Sequence, residues 1–443
     1  MKLEEYRSRA FAYALEQGCD AAETYYVSGD SLSMNAQDGE IDRYEVSRQA
    51  GLSLRVQYEG SDGYAYTEAL DDPEQLVRRA MDNAKIIETT DEHPMQGRCT
   101  YETVTPAPNP FEGLSEEEMI HKTLQLEKAA LTADPSVKRT AVCEVGRGTG
   151  HIELHNTRGL AAVRDVSEGY CAVETILGKN GTLKTGYAVR VGAEAAKLGA
   201  CAKAAVREGL EKFGASTVPS GEYRILLKNT AASDLLRAFM PVFSADEAQK
   251  GCSLLAGREG QTVGSEKISI VDDPFHPVSP RAFDGEGTPC RRKDVVENGV
   301  LKTLLHNLKT ARKAGVKSTG NARRASAASP VGIGPTVFYV VPGKSPYSAL
   351  VKRLKNGLVI TSLEGLHAGL HPVSGDFSLK AEGFLVEDGR IVRPVSEITV
   401  AGNFLTLLQD AQAVGSDLRF PYAGADYVAS PSLLLRRLVV AGG

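Results

Sequence analysis

Turns that few residue types can make divide this chain. Asp38-Gly39, Asp62-Gly63, Asn180-Gly181, Asn298-Gly299 and Asp388-Gly389 stand beside runs in which apolar and polar side chains alternate, as does Gly29-Asp30. Such dipeptides supply the positive φ angles of tight hairpin turns, and a period of two marks a half-buried strand. The pattern constrains much of the chain to antiparallel meanders.

Helical spacing brackets these runs. Residues 2–17 place Tyr6, Ala10, Phe11 (or Tyr13) and Ala14 on one face, with Gly18 as a stop. Residues 22–70 read as a meander. Residues 73–88 begin with Pro73 at a first helical position and carry Leu76, Val77, Ala80, Ala84 and Ile87 along one face. A first domain, 1–88, is thus helix, meander, helix. Residues 89–114 hold Pro106, Pro108 and Pro110 with no sustained period and read as a linker. Ser115-Glu116-Glu117-Glu118 predicts a capping box that opens a helix to about Leu131. Strand-like runs fill Val137–Val191, and an Ala-rich helix from about Ala193 to Phe213 closes a second domain, 115–218. That domain follows the order of the first without a sequence repeat. Residues 219–443 read as a β-rich C-terminal domain, mostly antiparallel, with a helix from about Ala231 to Phe239. The expected fold class is α+β: helix-flanked antiparallel β-meander units followed by a β-rich C-terminal domain.

Composition narrows the function. The 443 residues are 42% hydrophobic and 24% charged, which supports an ample core. No uncharged apolar run approaches the ~18 residues that span a bilayer, and Met1–Arg7 carries Glu4 and Glu5 where a signal peptide would have an apolar stretch, so the expected location is the cytoplasm, with no membrane partner. Seven cysteines lie scattered without a Cys-x-x-Cys pair and read as reduced thiols. There is no Gly-x-x-x-x-Gly-Lys phosphate cradle and no Gly-x-Ser-x-Gly elbow. None of the eight histidines precedes a glutamate, which removes the His-Glu zinc-peptidase motif. A net charge of −5 disfavours a nucleic-acid coat. Residues 291–324 do hold ten Lys or Arg against two acidic residues, but no aromatic lies among them to stack a base. A solvated helix face or an acidic partner fits better, and Asp272, Asp273, Asp284 and Glu286 are placed to neutralise the stretch.

Two histidine groupings bear on metal binding. His151, Glu153 and His155 would share one face of a strand, with the end residues ~13 Å apart, and read as a polar outward face. Glu364, His367 and His371 would line one face of a helix, but Gly365, Gly369 and Pro372 make a loop the better reading. These three are the weak metal candidates; no catalytic residue is assigned.

The stretch Thr361–Ser378, with Ala381-Glu382-Gly383-Phe384 and Pro394-Val395-Ser396-Glu397-Ile398, resembles the TldD/PmbA family, and within it the PmbA (TldE) branch. Phe283–Pro289, Ser318–Ala322 and Ile398–Asn403 agree in the same order. The resemblance implies a zinc metallopeptidase family whose TldD branch carries His-Glu-x-x-x-His on a helix and a cysteine near the C-terminus. Here the corresponding helix, Ala231–Phe243, has neither histidine nor glutamate, and no cysteine follows Asp417. What the resemblance implies is therefore the subunit type without the zinc motif: no cofactor in this chain, zinc in a TldD-like partner, and unfolded, modified or extended peptides as substrates of the pair. A homodimer stays open, as does the family's older label, modulator of DNA gyrase, which points to a stand-alone peptide-binding or regulatory protein. The expected peptide wall is two loops of small residues, Ser318, Thr319, Gly320, Asn321 and Arg323 in one, and Val373, Ser374, Gly375 and Asp376 in the other. The competing reading is that both are turns demanded by the fold.

Overall fold

The computed structural model describes residues 1–86, 93–421 and 427–443. The chain opens with α1 (Leu3–Glu16), β1 (Ala21–Gln37), β2 (Glu40–Tyr58), β3 (Ser61–Thr67) and α2 (Pro73–Ile86). The same order returns in α3 (Glu116–Leu131), β4 (Val137–Asn156), β5 (Ala161–Lys179), β6 (Thr182–Val191) and α4 (Leu198–Glu211). Antiparallel pairing of β1 with β4 joins the two meanders into one six-stranded sheet, ordered β3-β2-β1-β4-β5-β6. Positions 87 and 88 of the expected second helix, and 89–92 of the expected linker, lie outside the described residues.

Local chemistry accounts for most of these boundaries. Asp38, Asn180, Asn298 and Asp388 take φ of 56°, 49°, 48° and 46°, each followed by a glycine with positive φ, which is the two-residue hairpin turn these pairs favour. Ser115 caps α3 in a reciprocal capping box with Glu118. Two expected turns are absent. Gly29-Asp30 lies inside β1 and Asp62-Gly63 inside β3, while the β2–β3 turn falls at Glu59-Gly60. Both glycines serve close packing instead: a Cβ at Gly29 would meet the Thr149 carbonyl of β4 at 2.8 Å, and one at Gly63 would collide with the Ala80 carbonyl of α2.

The four long helices share one face of the sheet. α1 and α2 bury Tyr6, Ala10, Leu76 and Val77 against Ala22, Leu52, Leu54 and Val56. α3 and α4 bury Met119, Leu126, Cys201 and Ala205 against Leu32, Met34, Cys143 and Val173 further along the strands. Gly186 of β6 seats α4 as Gly63 seats α2, since a Cβ there would collide with the Ala205 carbonyl. The opposite face presents Tyr25, Leu154 and Ala162 to Phe283 and Ala327 of the C-terminal part.

That part runs through β7 (Gly221–Leu227), α5 (Asn229–Ala238), α6 (Ala245–Gln249), β8 (Ile270–Asp272), β9 (Lys293–Glu297), β10 (Val300–Leu301) and α7 (Leu308–Ala314). It continues with β11 (Ala322–Arg323), β12 (Gly332–Ile333), β13 (Val337–Val340), α8 (Tyr347–Leu354), β14 (Gly357–Glu364), β15 (Leu370–His371), β16 (Asp376–Glu387) and β17 (Arg390–Asn403). It ends with α9 (Phe404–Gln409), β18 (Ala411–Val414), β19 (Tyr427–Ala429) and β20 (Leu433–Ala441). β14, β7, β20, β17 and β16 close into a ring because β14 also pairs with β16. The pairing is mostly antiparallel, with β7–β14 and β13–β19 parallel. The core gathers Phe239 stacked on Phe404 at 4.5 Å between ring centres, together with Phe243 and Phe338. α5 ends where Pro241 enters a short 3-10 turn, Met240–Phe243. The whole is the α+β arrangement expected, with α7, α8 and α9 as short helices too brief to show a period in sequence.

Replacing Gly186 by alanine must push α4 off the sheet. The expected loss is about 1–3 kcal/mol, read as a lower urea midpoint. Gly199→Ala, in the same helix with nothing within 4 Å of the added carbon, is expected not to lower it.

Candidate functional site

A buried polar seam fixes the C-terminal part to the sheet. Arg324 reaches Glu23 of β1, Nη2 to Oε1 at 3.2 Å, with each side chain only 2% exposed. Its Nε donates to the Gly285 carbonyl at 2.9 Å, and the guanidinium lies 4.6 Å from the centre of the Tyr25 ring. Beside it His93 Nε2 meets Glu286 Oε1 at 2.5 Å, and Arg55 donates to Asp62 at 2.8 Å and to the His93 carbonyl. The other oxygen of Glu286 accepts from the Leu308 amide at the start of α7. Burial pushes the nearby Tyr64 hydroxyl up to about 12.

The first expected wall loop lies behind this seam. Thr319 and Asn321 are buried, and Asn321 donates its amide to Asp272 at 2.8 Å. Asp272, fully buried, also accepts from Lys293 at 2.7 Å and from both the amide and hydroxyl of Thr336. Ser318 and Thr319 donate to the His306 carbonyl, and Gly320 has φ +73° with the Pro289 carbonyl 3.0 Å from where a Cβ would stand. Asp284 accepts from the amides of Glu286, Thr288 and Ala322. Burial and the neighbouring Glu286 nevertheless hold its carboxyl up to about 7. Of this loop, Arg323 lines a cavity and is half-exposed.

The second loop differs. Val373, Ser374 and Asp376 are exposed at the tight turn between β15 and β16, while Gly375 has φ +84°. Asn403 donates to the Ser374 carbonyl and to Asp376, each at 2.9 Å, and with Ser374 holds the Asp376 carboxyl below its ordinary range. The two loops bond to different neighbours, the first inward and the second to Asn403 at the end of the adjacent strand β17.

Among the described residues no group of three or more His, Cys, Asp or Glu side chains lies close enough to hold a metal. Glu364 closes β14 and accepts from Lys380 at 2.9 Å, His367 stands exposed in the following turn, and His371 lies in β15. On β4, Glu153 stands between His151 at 3.1 Å and His155 at 3.4 Å, and Arg7 of α1 takes it at 2.6 Å. Hydrogen bonds to Asp165 and Glu153 raise His151, whereas burial, then Arg7, lowers His155. The basic stretch is dispersed in the fold: Lys293 pairs with Asp272, Lys302 with Glu297, and Arg324 with Glu23.

A cleft of about 420 Å³ opens at the head of α5, lined by Asp234, Tyr187, Arg207, Lys228, Asp417 and Arg419. Asp417 accepts from the amide and hydroxyl of Ser432 at 2.9 and 2.7 Å. Sequence reasoning flagged the helix here but none of these cleft residues, which come from four distant stretches. Among the described residues the lining holds carboxylates but no imidazole or thiol, a set that does not fit a structural or catalytic zinc ion of the His/Cys type. Part of the segment after Asp417 expected to lack a ligand cysteine, positions 422–426, lies outside the described residues.

This helix-covered sheet, bound to a β-ring with a cleft at its leading helix, is an architecture shared with solved structures. Residues 220–442 match the model of the PmbA/TldA metallopeptidase C-terminal domain and residues 22–84 that of PmbA/TldA metallopeptidase domain 1. The chain is 26% identical to the metalloprotease PmbA of Escherichia coli O157:H7, over 99% of this chain and 96% of the other. It superposes on a solved structure described as a modulator of a DNA gyrase from Thermotoga maritima MSB8 with a TM-score of 0.91 at 32% identity, covering 99% of this chain and 100% of that one. TldE from Thermococcus kodakarensis shares the fold, with a TM-score of 0.88 at 22% identity and coverage of 99% and 100%. The chain belongs to the PmbA/TldD family.

Asp272→Ala strands Lys293 in the interior and removes the acceptor for Asn321 and Thr336. It is expected to cost about 3–5 kcal/mol in denaturant unfolding, whereas Asp376→Ala, on the exposed hairpin, is expected to leave the midpoint near wild type.

Proposed function

We propose that this chain is the non-catalytic subunit of a zinc peptidase, assembling in the cytoplasm with a TldD-like chain that carries the metal. The observation that carries the reading is the cleft at α5. It has the size of a ligand site, yet its walls offer carboxylates, amines and guanidinium groups and no zinc-binding set. Among the described residues of the cleft no imidazole or thiolate joins the carboxylates to complete a zinc site, so hydrolysis is assigned to the partner. The role left to this chain is to bind and present unfolded or extended peptides through backbone pairing, a mode that asks little of side-chain sequence. The hairpin that exposes Val373, Ser374 and Asp376 suits such contact better than Thr319 and Asn321, whose side chains are committed inward.

A second reading, a stand-alone regulatory protein, is favoured by the 32% identical relative described as a modulator of a DNA gyrase. The two separate cleanly. Purified from zinc-replete cells, the chain alone is expected to carry well under one zinc per chain and to leave denatured peptides uncut. Mixed with a TldD-like protein from the same cell, it is expected to form a larger species by light scattering, with peptidase activity above that of the partner alone. Stoichiometric zinc with cleavage by the isolated chain overturns the proposal; no assembly, with retained binding to a topoisomerase, favours the second reading.

A further inference from the structure

Between the sheet and residues 278–285 and 322–326 lies another cavity, of about 230 Å³, lined by both Arg164 of β5 and Arg281. Arg323 and Arg324 also line it, and Arg324 is matched by Glu23. Arg164 and Arg281 are not so matched. Among the described residues neither forms an ion pair with a carboxylate, and the Nε of each is sealed from solvent without a hydrogen-bond partner. Arg164 lies over the Phe283 ring at 5.6 Å, and Arg281 donates to the Ser279 hydroxyl at 3.3 Å.

Two of the three acidic groups of the lining are engaged elsewhere. Asp284 is held by three backbone amides, and Asp165 takes the Nδ1 of His151 at 2.7 Å. Among the described residues Glu168, the one lining carboxylate that faces both arginines, forms no ion pair with either; burial raises its carboxyl while the charges of Arg281 and Arg164 pull it down, so a single buried carboxylate stands against two guanidiniums. Burial and the facing charge of Arg281 draw Arg164 down to about 10, so two like charges confront each other across a poorly solvated space. An entering oxyanion relieves that repulsion and can take paired hydrogen bonds from a guanidinium.

The setting selects the oxyanion. β6 pairs only with Tyr170–Lys179 of β5, so the outer edge of β5 from Ala161 to Ser167, which carries Arg164, has no neighbouring strand among the described residues. The next carbonyl, that of Glu168, is taken by the Asn109 amide at 2.8 Å. Tyr25, Val27 and Ile152 form an apolar wall beside the arginines. A groove of about 750 Å³ sharing Pro106 and Val166 with the cavity leads away past Gly29, Ala50 and Gly150. The cavity itself falls below the ~300–1,000 Å³ of pockets that enclose a drug-sized ligand, so it accepts one end of a longer molecule.

We propose that this is a carboxylate site for the free C-terminus of an extended peptide, whose last residues add to the open edge of β5 while its terminal side chain rests on Tyr25, Val27 and Ile152. The inference rests on the reading of the chain as a peptide-handling subunit, and specifies which end of the peptide it holds.

The test is a fluorescence titration of the whole chain, alone, with one short valine-ended peptide made as the free acid and as the C-terminal amide. The acid is expected to bind at least about tenfold more tightly, as loss of a charge-assisted pair implies. Arg281→Gln and Arg164→Gln should each erase that preference, and Arg281→Lys should keep part of it. Arg281 stands at a loop, so its variants keep the test open should Arg164→Gln fail to fold. Equal binding of acid and amide, or an acid preference that survives both glutamine variants, overturns the proposal. So does stabilisation by inorganic phosphate with no preference for the acid peptide. Assembly with a zinc subunit is a separate readout: a chain that prefers the acid but never assembles sinks the partner role alone, and one that assembles without the preference sinks this site alone.

Discussion

Everything in the molecule hangs on burying charge at the junction of its two parts. Glu23 and Arg324 lose nearly all their water, a cost of several kcal/mol per ion that their mutual attraction alone does not return. The junction supplies the remainder through the Gly285 carbonyl, the face of Tyr25, and the neighbouring array of His93, Glu286, Arg55 and Asp62. Such an array tolerates one arrangement only, because shifting the parts by one residue would leave ions unpaired in the interior. Polar specificity here does what an apolar contact could not, fixing the depth and rotation at which the β-ring meets the sheet.

The same junction accounts for where the polar side chains of two suggestive stretches point. Ser318–Arg324 reads as a polar loop of small residues, and its composition is that of one. Its polar atoms face inward because Asp272, Asp284 and the His306 carbonyl need partners once buried. The basic stretch around it likewise spends Lys293 and Arg324 on interior carboxylates.

Legibility followed the range of the interactions concerned. Asn180-Gly181 and Ser115–Glu118 were readable because their geometry is settled within four residues. Asp62-Gly63 misled because the need for a bare backbone under α2 is a tertiary demand that looks like a turn. The order of elements in both meanders could be read from periodicity, but the union of β1 with β4 could not, since strand register between distant segments leaves no local trace. The cleft and the arginine cavity were invisible for a like reason. Arg164 sits between Val163 and Asp165 in an ordinary alternating strand, and nothing in its surroundings announces Arg281.

The pairing of β1 with β4 also sets a timetable. β1 is complete at Gln37, yet its partner ends at Asn156, so at ~5–20 residues per second of synthesis the inner edge of β1 waits on the order of 10 s for the strand that covers it. During that interval the first hairpins can form locally while an unpaired edge bearing Leu32 and Met34 stays open. The centre of the finished sheet therefore closes only when β4 arrives, after the first meander is complete and before β5 and β6 exist, so the open edge of β1 is exposed to misassembly while the first half of the chain is still being made.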